Sequence, residues 1–234
     1  MIRLSRLILA FALLSMVLFL GPALLSQQFG PYPLMRNGDV FDLLTPLVLI
    51  PLYWLLFQIR RDLTPTQWEI TAFLILAVLW VMGQGMHLAT NSISHLMEEM
   101  TRSDAYALTH FYDEVLSHYL WHVGIVGLSA LLLYRQWRNP FPEKAETSML
   151  TTAAGAIYGA TFFGVIVEAG TTPLGIPFLV IVGLFGLVAG RQQWRPQPIL
   201  AFFLVSSLVS LVLFGAWAIY WGGLPQFSEV GLIK

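Results

Sequence analysis

The segment Pro198-Ile199-Leu200-Ala201-Phe202-Phe203-Leu204-Val205-Ser206-Ser207-Leu208-Val209-Ser210-Leu211-Val212-Leu213-Phe214-Gly215-Ala216-Trp217-Ala218-Ile219-Tyr220-Trp221 decides the fold class. It holds no charged side chain, and a helix crossing a bilayer needs roughly 20 mostly apolar residues. Working outward, segments 7–26, 41–59, 68–89, 111–134, 149–170 and 173–190 read the same way. The links between them are short and rich in turn residues: Gly30-Pro31-Tyr32-Pro33, Arg60-Arg61-Asp62, Arg138-Asn139-Pro140, and Arg191 to Pro196. No soluble domain fits in any link. The expected architecture is one transmembrane helical domain over 1–234, an all-α polytopic bundle of seven transmembrane helices.

Composition agrees. The 234 residues are 57% hydrophobic and 11% charged, with mean hydropathy +0.72. An average soluble domain carries about 25% charged residues. A net charge of −1 offers no basic stripe for nucleic acid. With no cysteine, disulfides, thiolate metal sites, iron–sulfur clusters and a cysteine nucleophile are excluded.

Lysine and arginine set the expected orientation. With the N-terminus inside, Arg3, Arg6, Arg60, Arg61, Arg135, Arg138, Lys144, Arg191 and Arg195 fall inside, and Arg36, Arg102 and Lys234 outside. An even number of crossings breaks this segregation, so seven helices run N-in and C-out. Trp54, Trp68, Trp137 and Trp194 fall near the inner boundary, and Trp217, Tyr220 and Trp221 near the outer, where an aromatic belt belongs. Arg3 and Arg6 before an apolar run also resemble a signal peptide. The run is long and no small-x-small cleavage site follows, so it reads as an anchor. The loop-poor build points to a bacterial cytoplasmic membrane.

All five histidines lie within residues 87–122: His87, His95, His110, His118 and His122. Residues four apart share a helix face. His87, Asn91 and His95 make one row, and His110, Glu114, His118 and His122 another on the next, antiparallel helix. At ~1.5 Å per residue, Asp42, His87, Glu114, His118 and Glu168 come to similar depths, ~25–30 Å from the inner boundary. Ionisable groups inside a membrane are costly, and mark a functional site by default.

Imidazole with carboxylate suits zinc, iron or manganese. The expected ligands are His87, His118 and His122, with Glu114 next. Asp113 or Glu168 serves as general base or as the partner that fixes a histidine tautomer. Zinc is the first choice and iron the second; Met86, Met97 and Met100 leave copper below both. Such a site suits metal-dependent hydrolysis of a lipid or other apolar small molecule, needing only a metal, a water and a base. The same residues also suit a proton-coupled transporter or channel, a haem held by His87 and His118, or a structural subunit whose polar residues are glue between helices. His95 and His110 read as solvated helix ends, and Glu98, Glu99, Arg102 and Asp104 as a solvated loop. Asp42 reads equally as a helix N-cap. Gly83, Gly85 and the Gly155-x-x-x-Gly159 pair read as packing residues.

In helix count and in its His118-x-x-x-His122 pair, the chain is similar to the seven-helix metal hydrolases that include alkaline ceramidases and progestin-receptor-like proteins. That similarity implies zinc held by intramembrane histidines. It is a likeness of chemistry rather than membership: the family's pair lies on the last helix, here on the fourth, and its serine falls at Gly83. The paired histidine clusters of membrane desaturases are missing, as are a Ser/His/Asp motif and a phosphate-binding glycine loop.

Overall fold

A computed structural model describes residues 2–31, 35–59, 63–94, 96–97, 100–141, 149–193 and 197–233. Among them are seven long helices and no strand. These are α1 (Ile2–Leu20), α2 (Asn37–Phe57), α3 (Gln67–Ser94), α4 (Asp104–Arg138), α5 (Met149–Glu168), α6 (Thr172–Gln193) and α7 (Pro198–Trp221). Five of them, α2, α3, α4, α5 and α7, are long and apolar enough to cross a membrane. Helices α1 and α6 carry shorter apolar runs, Leu4–Leu20 and Thr172–Val188.

The helix ends follow local chemistry. The expected first segment reached residue 26, but α1 stops at Leu20. Pro22 has no N–H for the Leu18 carbonyl four residues back. That carbonyl instead lies 3.3 Å from Thr45 Oγ1 on α2. Helix α2 starts before the expected Phe41: Asp39 Oδ2 accepts the Arg36 N–H at 2.7 Å and fixes the first turn. Asp42 is therefore inside the helix and is not its N-cap. Helix α4 begins where the Ser103 hydroxyl accepts the Tyr106 N–H, and so is longer than 111–134. Helix α5 closes in a Schellman turn, with Thr171 N–H bonded to Ile166 O, Gly170 N–H to Val167 O, and Gly170 at φ +62°.

Paired contacts give the helix directions. Thr45 meets Leu18 while Phe11 meets Tyr53, so α1 and α2 are antiparallel. Asp42 meets Gln84 and Trp54 meets Phe73, so α2 and α3 are antiparallel. Gly83 lies against Trp121, and Gly124 against Trp80, so α3 and α4 are too. Gly155 abuts Phe202 and Gly159 abuts Ser206, which makes α5 and α7 parallel. With Gly175 against Ile166 and Gly186 against Leu204, helices consecutive in the chain alternate in direction, although α5 and α7 pack parallel. At Gly155 and Gly159 an added Cβ would lie 2.8 and 2.5 Å from carbonyls of α7, so this pair is packing, as expected.

The centre of the bundle is aromatic: Phe11, Tyr53, Trp80, Tyr158 and Phe202 are almost fully buried. Phe11 and Ile8 sit in that core, so α1 is an integral part of it. The Tyr53 hydroxyl lies 2.9 Å from Ser129 Oγ and 3.1 Å from the Tyr158 hydroxyl, joining α2, α4 and α5. At the other end from the histidines, Arg135 and Glu69 form a buried ion pair at 3.0 Å. Arg135 also donates to the free carbonyls of Phe57 and Leu63, and its guanidinium lies over the Phe57 ring. Sequence reading placed Arg135 merely among the inner boundary charges. Trp68 and Trp137 are about half exposed, and Tyr134 meets Trp68 edge-on; Trp194 lies outside the described residues.

Candidate functional site

The site lies between α3 and α4, and a local irregularity of α4 builds it. Residues Phe111–Ser117 form a π turn. A π turn closes on i+5 and accommodates one extra residue. In a regular helix Glu114 shares a face with His118; across a π turn, Asp113 does. Asp113 is 3% exposed, while Glu114 is half-buried and turned aside. The Ser117 hydroxyl closes on the Asp113 carbonyl within this turn.

Asp113 Oδ1 lies 2.9 Å from His87 Nδ1 and 3.2 Å from Thr90 Oγ1, linking α4 to α3. The His87 approach is an ion-pair distance off the axis of a linear N–H donation. Glu114 contributes its backbone: its carbonyl faces His118 Nδ1 at 3.1 Å. His122 Nδ1 lies 2.6 Å from Thr171 Oγ1. The left-handed Gly170 turns the chain so that Thr171 reaches this ring. Two of the three imidazoles, His118 and His122, are thus held through Nδ1 by an oxygen, while His87 Nδ1 has the ion-pair contact with Asp113. A carbonyl oxygen can only accept, so the His118 nitrogen facing Glu114 carries a proton; the backbone of Ala169 also faces this ring.

The rings are close. His87 and His118 have centroids 4.8 Å apart, and His118 and His122 6.2 Å apart. Contact between His87 and His118 leaves no space for a haem plane between them. His118 and His122 are 6% and 1% exposed, and among the described residues His87 Nδ1, His122 Nε2 and Trp121 Nε1 find no hydrogen-bond partner. A buried polar nitrogen without a partner is uncommon, and calls for a missing water, ion or ligand. Among the described residues, however, no group of three or more His, Asp or Glu side chains converges closely enough to hold a metal ion as the side chains stand.

Asp42 borders this cluster from α2. Gln84 donates to Asp42 Oδ1 at 3.3 Å and accepts from Trp80 Nε1 at 2.7 Å. The sequence placed Asp42 at the right depth.

The remaining expected members have other partners. Glu168 Oε2 accepts the backbone N–H groups of Phe227 and Ser228, at 2.8 and 3.3 Å. Its carboxylate anchors the C-terminal tail, where a base or tautomer partner had been expected. His110 is exposed and stacks on Tyr106. Arg102 and Asp104 are exposed, as expected, but Asp104 opens α4 and does not lie in a loop; His95, Glu98 and Glu99 lie outside the described residues. Thr90 and Thr171 were missed because a threonine carries no distinctive spacing. The Gly170-Thr171 pair at a helix end was the available signal for Thr171.

Together these features define an all-helical bundle with a buried histidine–carboxylate cluster near one end. No family model, no curated protein and no solved structure matches the chain.

Proposed function

We infer that the chain is an integral membrane protein of seven crossings, N-in and C-out, whose histidine cluster is a divalent-metal centre acting on a lipid or other apolar substrate. The alternating helix directions and the lysine and arginine asymmetry support the topology. A bacterial cytoplasmic membrane fits the loop-poor build. In this orientation the cluster lies in the outer half of the bilayer.

One observation carries the metal reading: His118 and His122 each meet an oxygen through Nδ1, from Glu114 and Thr171, and Asp113 Oδ1 lies at ion-pair distance from His87 Nδ1. Metal-binding histidines almost always engage their second nitrogen this way, which orients the ring and raises its basicity. Two imidazoles on one tetrahedral zinc have ring centres about 5 Å apart. The separations of 4.8 and 6.2 Å bracket that spacing. On this reading the rings rotate to turn their Nε2 atoms towards the ion. Zinc held by these histidines would supply a water ionised near neutral pH. Asp113 then positions His87, and Asp42 is the carboxylate left to accept a proton. Hydrolysis is the reaction this set supports best.

Metal content by mass spectrometry on detergent-purified protein tests the reading. Close to one zinc or iron per chain is expected. His118→Ala and His122→Ala should each lose it while the helical circular-dichroism signal is retained. A folded protein that takes up neither metal on reconstitution overturns the metal reading.

A proton path is the second reading, and one feature favours it. His122 and Tyr158 line a common cavity of about 10 Å³, room for about one water. Tyr158 continues to Tyr53 and Ser129. On this reading, liposomes respond to a pH jump by a proton flux that Tyr53→Phe reduces. An intact protein with no flux removes it.

A further inference from the structure

Between α2 and α3 runs a groove of about 420 Å³. Ligand pockets fall at roughly 300–1,000 Å³. Its walls are apolar and open sideways: Leu43, Leu47 and Val81 are 51%, 68% and 50% exposed. Its lining reaches from Asp42 to Pro51 along α2. Nine residues of helix make ~13 Å, close to the ~15 Å depth of one leaflet of hydrocarbon. One end is polar, formed by the buried side chains of Asp42 and Gln84. His87 lies three residues beyond Gln84 on α3, one turn away on the same face.

Gly85 explains why the groove is open. A Cβ built there meets nothing within 4 Å, so no helix packing requires this glycine. Glycine inside a helix weakens it relative to alanine. Its missing side chain leaves the groove floor clear.

We propose that this groove binds one hydrocarbon chain of an amphiphile whose polar end carries a hydroxyl or amide N–H donor directed at Asp42. A carboxylate oxygen accepts hydrogen bonds, and one oxygen of Asp42 already takes Gln84. A donor on the ligand satisfies the carboxylate, whereas a second carboxylate meets like charge. The chain lies along the membrane normal, as its neighbours in the leaflet do. That this amphiphile is the substrate of the histidine centre rests on the function proposed above; binding in the groove does not.

A photoreactive long-chain alcohol bearing a diazirine, added to the full chain in nanodiscs, tests this directly. Mass spectrometry should place the cross-links on the facing sides of α2 and α3. Gly85→Phe, whose Cβ meets nothing within 4 Å, fills the groove with its ring and should cut labelling roughly tenfold or more, as loss of several buried methylenes implies. Leu47→Trp, from the opposite wall, should do the same, and the matching fatty acid should label less than the alcohol. Labelling that persists in both variants, or spreads equally to the exposed Val212 and Ile219 of α7, overturns the proposal. Metal content is measured on the same samples. Labelling in a chain that binds no metal retires the metal centre and upholds the groove; metal without groove labelling does the reverse.

Discussion

Glu69→Ala is expected to lower stability by about 3–5 kcal/mol, the cost of leaving one member of a buried ion pair alone. Arg135 is 6% exposed and Glu69 5%. Without the carboxylate, the guanidinium keeps only the carbonyls of Phe57 and Leu63 and the Phe57 ring. The same substitution removes the acceptor for the Thr66 backbone N–H, 2.7 Å from Glu69 Oε2, which caps α3. Thermal unfolding in detergent measures the loss. The paired change Glu69→Leu with Arg135→Met should recover most of it, because an apolar pair leaves no stranded charge. If Glu69→Ala unfolds no earlier than the parent, the two side chains are solvated and the clamp is not real.

Gly83→Ala should be nearly as damaging, although it adds one methyl group. The new Cβ would sit 2.4 Å from Trp121 N, 2.6 Å from Ser117 O and 2.9 Å from Trp121 Cα. These are backbone atoms and cannot rotate away. Helix α3 must back off from α4, at a cost of about 1–3 kcal/mol or more. The separation being forced is the one that sets His87 against Asp113, so on the proposed metal reading metal uptake should fall with the stability. Gly85→Ala, two residues on, is the control: it meets nothing and should gain up to ~1 kcal/mol from helix propensity. Equal melting temperatures for Gly83→Ala and Gly85→Ala contradict the close approach of α3 and α4.

These two glycines also show how far the sequence could be read. Both stood beside His87 in an apolar run, and both read as packing. Only Gly83 packs; whether a glycine faces a neighbour or a groove depends on helix rotation, which no local pattern records. The apolar segments were legible because hydropathy over roughly 20 residues leaves few alternatives. The site was legible in part. Depth grouped Asp42, His87 and His118 correctly, since rise per residue is fixed. Face assignment failed at Glu114 because it assumed an unbroken α period through 111–117. Glu168 looked equivalent by depth, but its partner is a tail distant in sequence. The Arg135–Glu69 clamp left one readable trace: Thr66-x-x-Glu69 has capping-box spacing.

The π turn at Phe111–Ser117 has a consequence for comparing sequences. It amounts to a single inserted residue inside an otherwise continuous helix. A relative that lacked the insertion would present its inward acid four positions before the residue matching His118, where this chain uses five. An ungapped alignment of the two would set that acid opposite Glu114 and leave Asp113 without a counterpart. Detecting such a relative therefore depends on allowing a one-residue gap within a helix, where alignment methods penalise gaps most heavily.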